Sequence, residues 1–201
     1  MSRTGILGGT FDPLHNAHIA LALEAKKQFN LDSVWLMPSP DPPHKSDKKK
    51  TPFSIRYKMT LAGLEGINGL VCSDYEAGLP QPSYTVQTLQ NLKKDYPDDE
   101  FMFIIGEDSL DNIENWYHPE EIMKLTELIV AARDDGDNRS LEEQTQLIQK
   151  EYGAVIHILK WKEINISSTE IRRRVASGES IDSMVPEGVK EIIWKENLYT
   201  T

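Results

Sequence analysis

Six short apolar runs recur along the chain, each of about the length of a β-strand and each bounded by polar, glycine or proline residues. Near-continuous apolar runs of this kind are typical of strands that are buried on both faces of a sheet. The runs are TGILG (4–8), SVWLM (33–37), LVCS (70–73), FMFIIG (101–106), LIVAA (128–132) and AVIHIL (154–159). They predict six strands.

Segments with helical periodicity separate these runs. In residues 18–29, apolar side chains recur close to an i, i+3, i+4 spacing, and Asn30 is suited to end the helix. Similar patterns occur at residues 53–64, 84–96 and 140–152. Strands that alternate with helices predict an α/β fold, here a doubly wound, Rossmann-like parallel sheet with helices on both faces.

The length of 201 residues favours a single domain over residues 1–201, whose C-terminal helical part begins at about residue 167. In a doubly wound sheet, the ligand crevice lies beyond the carboxyl ends of the strands, where the strand order reverses. The residues that follow each predicted strand are therefore the candidates for a functional site.

Net charge and composition exclude some classes of binding partner and indicate where the protein acts. A formal net charge of −10 argues against general binding to nucleic acid or anionic membranes, which depends on an excess of Lys and Arg. The sequence shows no secretory signal pattern and no run approaching the roughly 20 apolar residues of a membrane helix. The single cysteine, Cys72, lies in an apolar run and cannot form an internal disulfide. These features predict a cytoplasmic protein.

The segment GGTFDPLHNAH follows the first predicted strand. Its glycine pair allows positive φ angles and a close ligand approach, and its Asp-Pro step favours a turn before a helix. His15 and His18 then share the first helical turn, where free N–H groups and the helix dipole favour an anion such as a phosphate chain.

Two histidines three residues apart are also compatible with a metal site or with a purely structural role. A metal site would need a third ligand and is disfavoured by the positive end of the helix dipole. A structural role requires only that the two rings find hydrogen-bond partners within the fold. The segment lacks the G-x-G-x-x-G fingerprint and a Walker lysine. The residues alone therefore leave an anion site and a structural role open.

The segment ISSTEIRRR follows the sixth predicted strand. Ser167 and Glu170 have the spacing of a capping box, which predicts a helix start whose N–H groups form a second anion site. Arg172 can add a charge-assisted contact to phosphate oxygens. Ser-x-x-Glu is also a common helix start, and residues 172–174 are compatible with an ordinary charged surface.

Taken together, these two segments resemble the signatures of the nucleotidylyltransferase superfamily, a paired-histidine motif and I-S-S-T-x-I-R. Within that superfamily, the chain is similar to the bacterial nicotinate-nucleotide adenylyltransferases. The resemblance extends over essentially the whole chain and includes MPSPDPPHK, PSYTVQTL, GEDSLDNIENWYH and LIVAAR.

The resemblance implies transfer of AMP from ATP to nicotinate mononucleotide, with Mg²⁺ held mainly through the ATP phosphates. The implied catalytic residues are His15, His18, Lys45 and Arg172, of which the two histidines would stabilise the leaving pyrophosphate. The residues implied to bind ATP are Gly8, Gly9, Thr10, Phe11, His15, His18, Gly106, Asp108, Ser167, Ser168, Thr169 and Arg172.

For the acceptor, the resemblance implies that Trp116 stacks on the pyridine ring, while Thr85 and Tyr117 lie where the family binds the nicotinate carboxylate. The full implied set for nicotinate mononucleotide is Thr10, His44, Lys45, Tyr84, Thr85, Trp116, Tyr117 and Arg133.

Two positions depart from the family pattern. Ala17 stands where the family usually has glycine, and Glu107 stands where relatives often have alanine. Two other functions share parts of the pattern, a pantetheine-phosphate adenylyltransferase and a non-catalytic nucleotide sensor. The sequence leaves open whether the chain forms a homo-oligomer and how strictly it prefers nicotinate to nicotinamide.

Overall fold

Six parallel strands form one sheet in the computed structural model, which describes residues 1–40, 50–132, 139–162 and 164–200. The strands are β1 (Arg3–Gly9), β2 (Ser33–Pro38), β3 (Leu70–Cys72), β4 (Glu100–Gly106), β5 (Glu127–Ala131) and β6 (Ile156–Leu159). Their order is β3-β2-β1-β4-β5-β6, so the direction of winding reverses between β1 and β4. The predicted strands and the doubly wound sheet are confirmed.

Helices connect the strands and follow the last one. They are α1 (Asn16–Gln28), α2 (Phe53–Gly63), α3 (Thr85–Asp95), α4 (Glu107–Asp111), α5 (Pro119–Leu125), α6 (Arg139–Tyr152), α7 (Ser168–Ala176) and α8 (Glu187–Lys195). Two short 3₁₀ helices lie at Tyr75–Gly78 and Ile113–Asn115. Within the described ranges, no helix is long and apolar enough to cross a membrane.

Helices cover both faces of the sheet. Successive strand residues point to opposite faces, so each strand contributes side chains to two buried clusters. In β1, Leu7 joins a buried cluster that includes side chains of α1, α2, α7 and α8, whereas Ile6 joins a second cluster with α3, α5 and α6. The same alternation separates Ile104 from Ile105 in β4. Strands buried on two sides explain the continuous apolar runs in the sequence.

The C-terminal helices pack onto the face that carries α1 and α2. Gly63, at the end of α2, permits this packing because a Cβ atom there would lie 2.8 Å from Val189 of α8. The backbone N–H of Asn16 donates to the carbonyl of Met184 at 2.9 Å, which joins the start of α1 to the segment between α7 and α8. The fold thus brings the end of the chain to the first strand exit.

Candidate active site

The exit from β1 begins with Gly8 and Gly9, which pair with β2 up to the end of the strand. Neither glycine uses the positive φ angle that the sequence allowed, because both keep the extended geometry of the ladder. The left-handed residue is Phe11, with φ of 46°. Gly9 is needed for space instead, since a Cβ atom there would lie 2.9 Å from the Phe11 ring.

His15 and His18 lie together at the start of α1, as predicted. Their rings stack with centroids 3.6 Å apart, and the edge of Phe11 contacts the His18 ring. The backbone N–H of His15 donates to Nδ1 of His18 at 3.3 Å, so a neutral His18 carries its proton on Nε2. This geometry makes His18 a hydrogen-bond donor for an anion.

The His15 side chain is buried, with 5% of its surface exposed. Burial lowers its pKa to about 4, so the imidazole is neutral at neutral pH. Within the described residues, its buried Nδ1 atom has no hydrogen-bond partner. The described ranges also contain no group of three or more His, Cys, Asp or Glu side chains that could hold a metal ion.

The second segment that the sequence singled out contacts the first. At the start of α7, the Ser168 hydroxyl donates to the carbonyl of Pro13 at 2.9 Å. Arg172 donates from Nη1 to the carbonyl of Asp12 at 2.6 Å and from Nη2 to the Thr169 hydroxyl at 3.2 Å. Segments that lie about 155 to 160 residues apart in the sequence therefore meet. We call Asp12, Pro13, His15, His18, Ser168, Thr169 and Arg172 the histidine cluster.

Ser167 caps α7 as predicted, because its hydroxyl accepts a hydrogen bond from the backbone N–H of Glu170 at 3.2 Å. The Glu170 carboxylate pairs with Arg173 and Arg174, which lower its pKa to about 2. The three consecutive arginines thus divide between two tasks. Only Arg172 extends to the exit of β1, while its two neighbours form an ion-pair network on the surface.

A cavity of about 330 Å³ opens at the carboxyl ends of β1 and β4, at the switch point of the sheet. We call it the strand-end cavity. Its lining residues are Leu7, Gly8, Gly9, Thr10, Ser39, Glu76, Ser83, Tyr84, Thr85, Phe103, Ile104, Ile105, Gly106, Ser109, Trp116, Tyr117 and Ile122. Most residues that the resemblance assigned to the acceptor thus share one cavity. Gly106 lines it too, whereas Ser109 rather than Asp108 represents α4 there.

Aromatic side chains supply one wall of this cavity. The half-buried Trp116 meets Phe103 edge to face, with ring centroids 6.2 Å apart. Tyr84 precedes α3 and lies 4.6 Å from the ring of Tyr117. Flat apolar walls with a few polar groups between them suit a planar heterocycle.

Glu76 and Ser83 are among the polar cavity residues that the sequence analysis missed, together with Ser39 and Ser109. Glu76 accepts a hydrogen bond from the Thr88 hydroxyl at 3.0 Å, and its burial raises the pKa of its carboxyl. Ser83 is buried, and its hydroxyl has no hydrogen-bond partner among the described residues. Neither residue stands in a motif with a chemical meaning of its own. The serine precedes Tyr84 in PSYT, which was the only available signal.

The sequence analysis also missed Arg56, a residue of α2 that is only 1% exposed. Its guanidinium donates to four backbone carbonyls at 2.7 to 3.1 Å, those of Thr10, Ser39, Pro40 and Thr51. These carbonyls follow β1, follow β2 and precede α2. The planar donor fork of one arginine therefore holds two strand exits in a fixed relation.

Asp12 connects this region to the end of the chain. Its carboxylate accepts hydrogen bonds from the Tyr199 hydroxyl at 2.6 Å and from the backbone N–H of Thr51 at 3.2 Å. Burial, together with the neighbouring carboxylate, raises the pKa of Tyr199, so its phenol stays protonated and donates.

Three residues that the family resemblance implied for the site, His44, Lys45 and Arg133, lie outside the described residues.

Comparison with known proteins identifies the family. A family model described as cytidylyltransferase-like matches residues 6–174. A protein of Clostridium botulinum (strain Eklund 17B / Type B), named "Probable nicotinate-nucleotide adenylyltransferase", is 43% identical over 199 residues, which cover 99% of this chain and 98% of that protein. The chain belongs to the nicotinate-nucleotide adenylyltransferase family. A Clostridium beijerinckii protein of the same printed name is 39% identical over 203 residues, across 99% of this chain and all of that protein.

Solved structures confirm the fold of this nicotinate-nucleotide adenylyltransferase family member. One is "Plasmodium falciparum nicotinic acid mononucleotide adenylyltransferase complexed with NaAD", with a TM-score of 0.78, 20% identity and coverage of 100% of this chain and 98% of that chain. Another, a putative nicotinate-nucleotide adenylyltransferase of Vibrio parahaemolyticus, has a TM-score of 0.69, 21% identity and coverage of 99% and 96%. The predicted family and fold class are confirmed, and the roles of individual residues stay predictions.

Proposed function

We propose that the chain transfers the adenylyl group of ATP to the phosphate of nicotinate mononucleotide, forming nicotinic acid adenine dinucleotide and pyrophosphate. The observation that carries this proposal is the contact between the two motif segments, in which Arg172 and Ser168 donate to the carbonyls beside the histidine pair. Full-length relatives at 37% to 43% identity that carry the name of this activity support it.

In this reaction an oxygen of the acceptor phosphate attacks the α-phosphorus of ATP, and the bond to the bridging oxygen of pyrophosphate breaks. The attacking group belongs to the substrate, so the protein needs no covalent nucleophile. Positioning and charge stabilisation suffice. In our proposal, the Nε2–H group of His18 donates a hydrogen bond to the leaving phosphates. Arg172 adds a fixed positive charge from α7.

In our proposal, other residues at the starts of α1 and α7 add contacts to the phosphate chain. We propose that the neutral His15 contacts the same phosphate chain, and that Ser167, Ser168 and Thr169 bind it at the start of α7. Gly8, Gly9, Thr10 and Phe11 then lie along the nucleotide, together with Gly106 at the end of β4 and Asp108 in α4.

Mg²⁺ is our proposal for the divalent ion, which would neutralise the phosphate charge that builds up during transfer. The described residues offer no cluster of protein ligands. The ion would therefore be held chiefly by phosphate oxygens and water, a coordination that Mg²⁺ favours in nucleotide enzymes.

The strand-end cavity is the proposed site of the acceptor. Trp116 would stack on the pyridine ring, while Tyr84, Thr85 and Tyr117 would bind around the ring carboxylate. His44, Lys45 and Arg133 keep the roles that the resemblance implies, as proposals for residues outside the described part of the chain. We further propose that residues 1–201 act as one domain in the cytoplasm, alone or as a homo-oligomer.

The experiment that tests the function measures pyrophosphate release. The protein is incubated with ATP and Mg²⁺, together with nicotinate mononucleotide, nicotinamide mononucleotide or phosphopantetheine. We expect release with nicotinate mononucleotide and less with the nicotinamide form. Release only with phosphopantetheine would establish a pantetheine-phosphate adenylyltransferase. ATP binding without release from any acceptor would establish a nucleotide sensor.

A further inference from the structure

Within the described ranges, the strand-end cavity is lined by one charged side chain. Among the described residues that form its wall, Glu76 alone carries a formal charge, and the others are apolar, aromatic, hydroxyl-bearing or glycine. A carboxylate in a partly buried cavity loses hydration, and this loss is unfavourable unless a partner compensates for it. Glu76 therefore needs a partner that offsets its lost hydration.

The contacts of Glu76 supply only part of that compensation. The Thr88 hydroxyl, which is buried, donates to Oε1 at 3.0 Å. No lysine, arginine or histidine in the described part of the chain forms an ion pair with the carboxylate. A neutral hydroxyl holds one oxygen in place but leaves the charge without a counterpart.

The acceptor brings a positive charge into this cavity. In nicotinate mononucleotide the ring nitrogen is bonded to ribose, so the pyridine ring is a pyridinium cation whatever its 3-substituent. An aromatic side chain beside such a ring adds a cation–π attraction, for which tryptophan is the best partner. Trp116 lines the same cavity as Glu76.

We infer that Glu76 is the counter-charge for the pyridinium ring of the acceptor and determines the preference of the cavity for a cationic ring. This inference rests on the proposed function, and it adds a residue and a chemical reason to the binding of the acceptor. Burial raises the pKa of the Glu76 carboxyl, and an adjacent cation restores the ionised form. Thr88 is then a positioning residue that orients the carboxylate.

A different placement of Glu76 has a different consequence. If the carboxylate lay beside the 3-substituent, it would repel the carboxylate of nicotinate and spare the amide of nicotinamide. A counter-charge for the ring affects both mononucleotides equally, because both rings carry the same charge. Reduction of the ring to the 1,4-dihydro form removes that charge and keeps the ribose, the phosphate and the 3-substituent.

The test is the near-isosteric change Glu76→Gln, which removes the charge and keeps an oxygen that can accept from Thr88. The matched control is Glu65→Gln, a change at an exposed carboxylate beyond the end of α2. Calorimetry without ATP gives the Kd of four ligands, the oxidised and the reduced mononucleotides of nicotinate and of nicotinamide. We expect Glu76→Gln to weaken both oxidised forms by about tenfold and to leave the reduced forms unchanged.

Steady-state kinetics give a second readout, in which Glu76→Gln raises the KM for nicotinate mononucleotide by a similar factor with little change in kcat. An equal loss of affinity for oxidised and reduced forms would show a merely structural role and overturn the inference. So would unchanged affinity, or a change confined to the nicotinate forms. Turnover by the unmodified protein tests the proposed function separately, so the two failures are distinguishable.

Discussion

The histidine cluster and the strand-end cavity differ in how their polar groups are hydrogen-bonded. In the histidine cluster, Arg172 and Ser168 already donate to protein carbonyls, and His18 is oriented by the backbone of His15. In the strand-end cavity, the Ser83 hydroxyl lacks a described partner and Glu76 has a hydroxyl but no described counter-ion. Apart from the buried Nδ1 of His15, the histidine cluster is bonded internally, whereas the strand-end cavity is left for a ligand to complete.

This difference follows from what each region has to do. Charge that develops on phosphate oxygens is stabilised best by donors that are already fixed, because no reorganisation is then needed during the reaction. Recognition of one acceptor among similar ones depends instead on polar groups that stay unsatisfied when the wrong ligand binds. In the proposed reaction, the histidine cluster therefore serves the chemistry and the strand-end cavity serves the selectivity.

A change at Arg56 is expected to affect both regions. Its guanidinium donates to the carbonyl of Thr10 in the cavity wall and to that of Thr51, whose N–H group binds Asp12. Arg56→Ala leaves four carbonyls without their donor, and we expect a loss of about 3–5 kcal/mol in the free energy of unfolding. Urea denaturation measures it, with Lys58→Ala on the exposed side of α2 as the control. A loss below about 1 kcal/mol would mean that water replaces the guanidinium.

His18 tests the chemical side of the comparison. His18→Ala removes one fixed donor, and we expect kcat for pyrophosphate release to fall by about 10²-fold. His157→Ala is the control, since His157 pairs with Glu127 on β5, away from the histidine pair. Turnover within a factor of three of the unmodified protein would remove His18 from the mechanism.

Arg172 and Arg173 provide an internal contrast within α7. Arg172→Ala removes the donor that extends to Asp12, and we expect kcat/KM for ATP to fall by about 30-fold, in line with the loss of a charge-assisted contact. Arg173→Ala removes a partner of Glu170 and Glu179 on the surface and leaves kcat/KM within about twofold. Equal effects at both positions would mean that the general charge of α7, and not its placement, attracts ATP.

Trp116 tests the selective side, where the smallest effect is expected. Trp116→Ala removes one aromatic wall of the cavity, and we expect the KM for nicotinate mononucleotide to rise by about tenfold with the KM for ATP unchanged. Trp194→Ala, at a half-exposed position on α8, serves as the control. Weaker ATP binding alone would reassign Trp116 to the nucleotide.

The sequence was sufficient for the framework because strand burial and helix periodicity are local signals. All six strands and the cap at Ser167 lie where the pattern put them. The resemblance to the superfamily signatures also implied that His18 and Arg172 share one site before any contact was known. These predictions depended on residues whose chemistry and neighbours in the sequence point the same way.

What the sequence did not reveal depends on contacts between distant segments. Arg56 resembles any arginine on a helix until the carbonyls around it are located, and Tyr199 resembles any residue near a chain end. Glu76 carries no motif, since only the shape of the cavity makes it a lining residue. The positive φ angle expected at Gly8 and Gly9 is not found there. The strand ladder extends through both glycines, and the left-handed φ angle falls on Phe11.

The contacts that build the histidine cluster also set the order in which the protein can become active during folding. Two of them join residues 155 and 160 positions apart, and the neighbouring hydrogen bond from Tyr199 to Asp12 joins residues 187 positions apart. Closing such long loops has an entropic cost that local contacts do not repay. Helices and neighbouring strands can therefore form before Asp12 meets Tyr199. After dilution from urea, we expect far-ultraviolet circular dichroism to recover before adenylyl transfer does, and simultaneous recovery would contradict this order. Enzymatic turnover in this chain is thus a reporter of its last tertiary contacts.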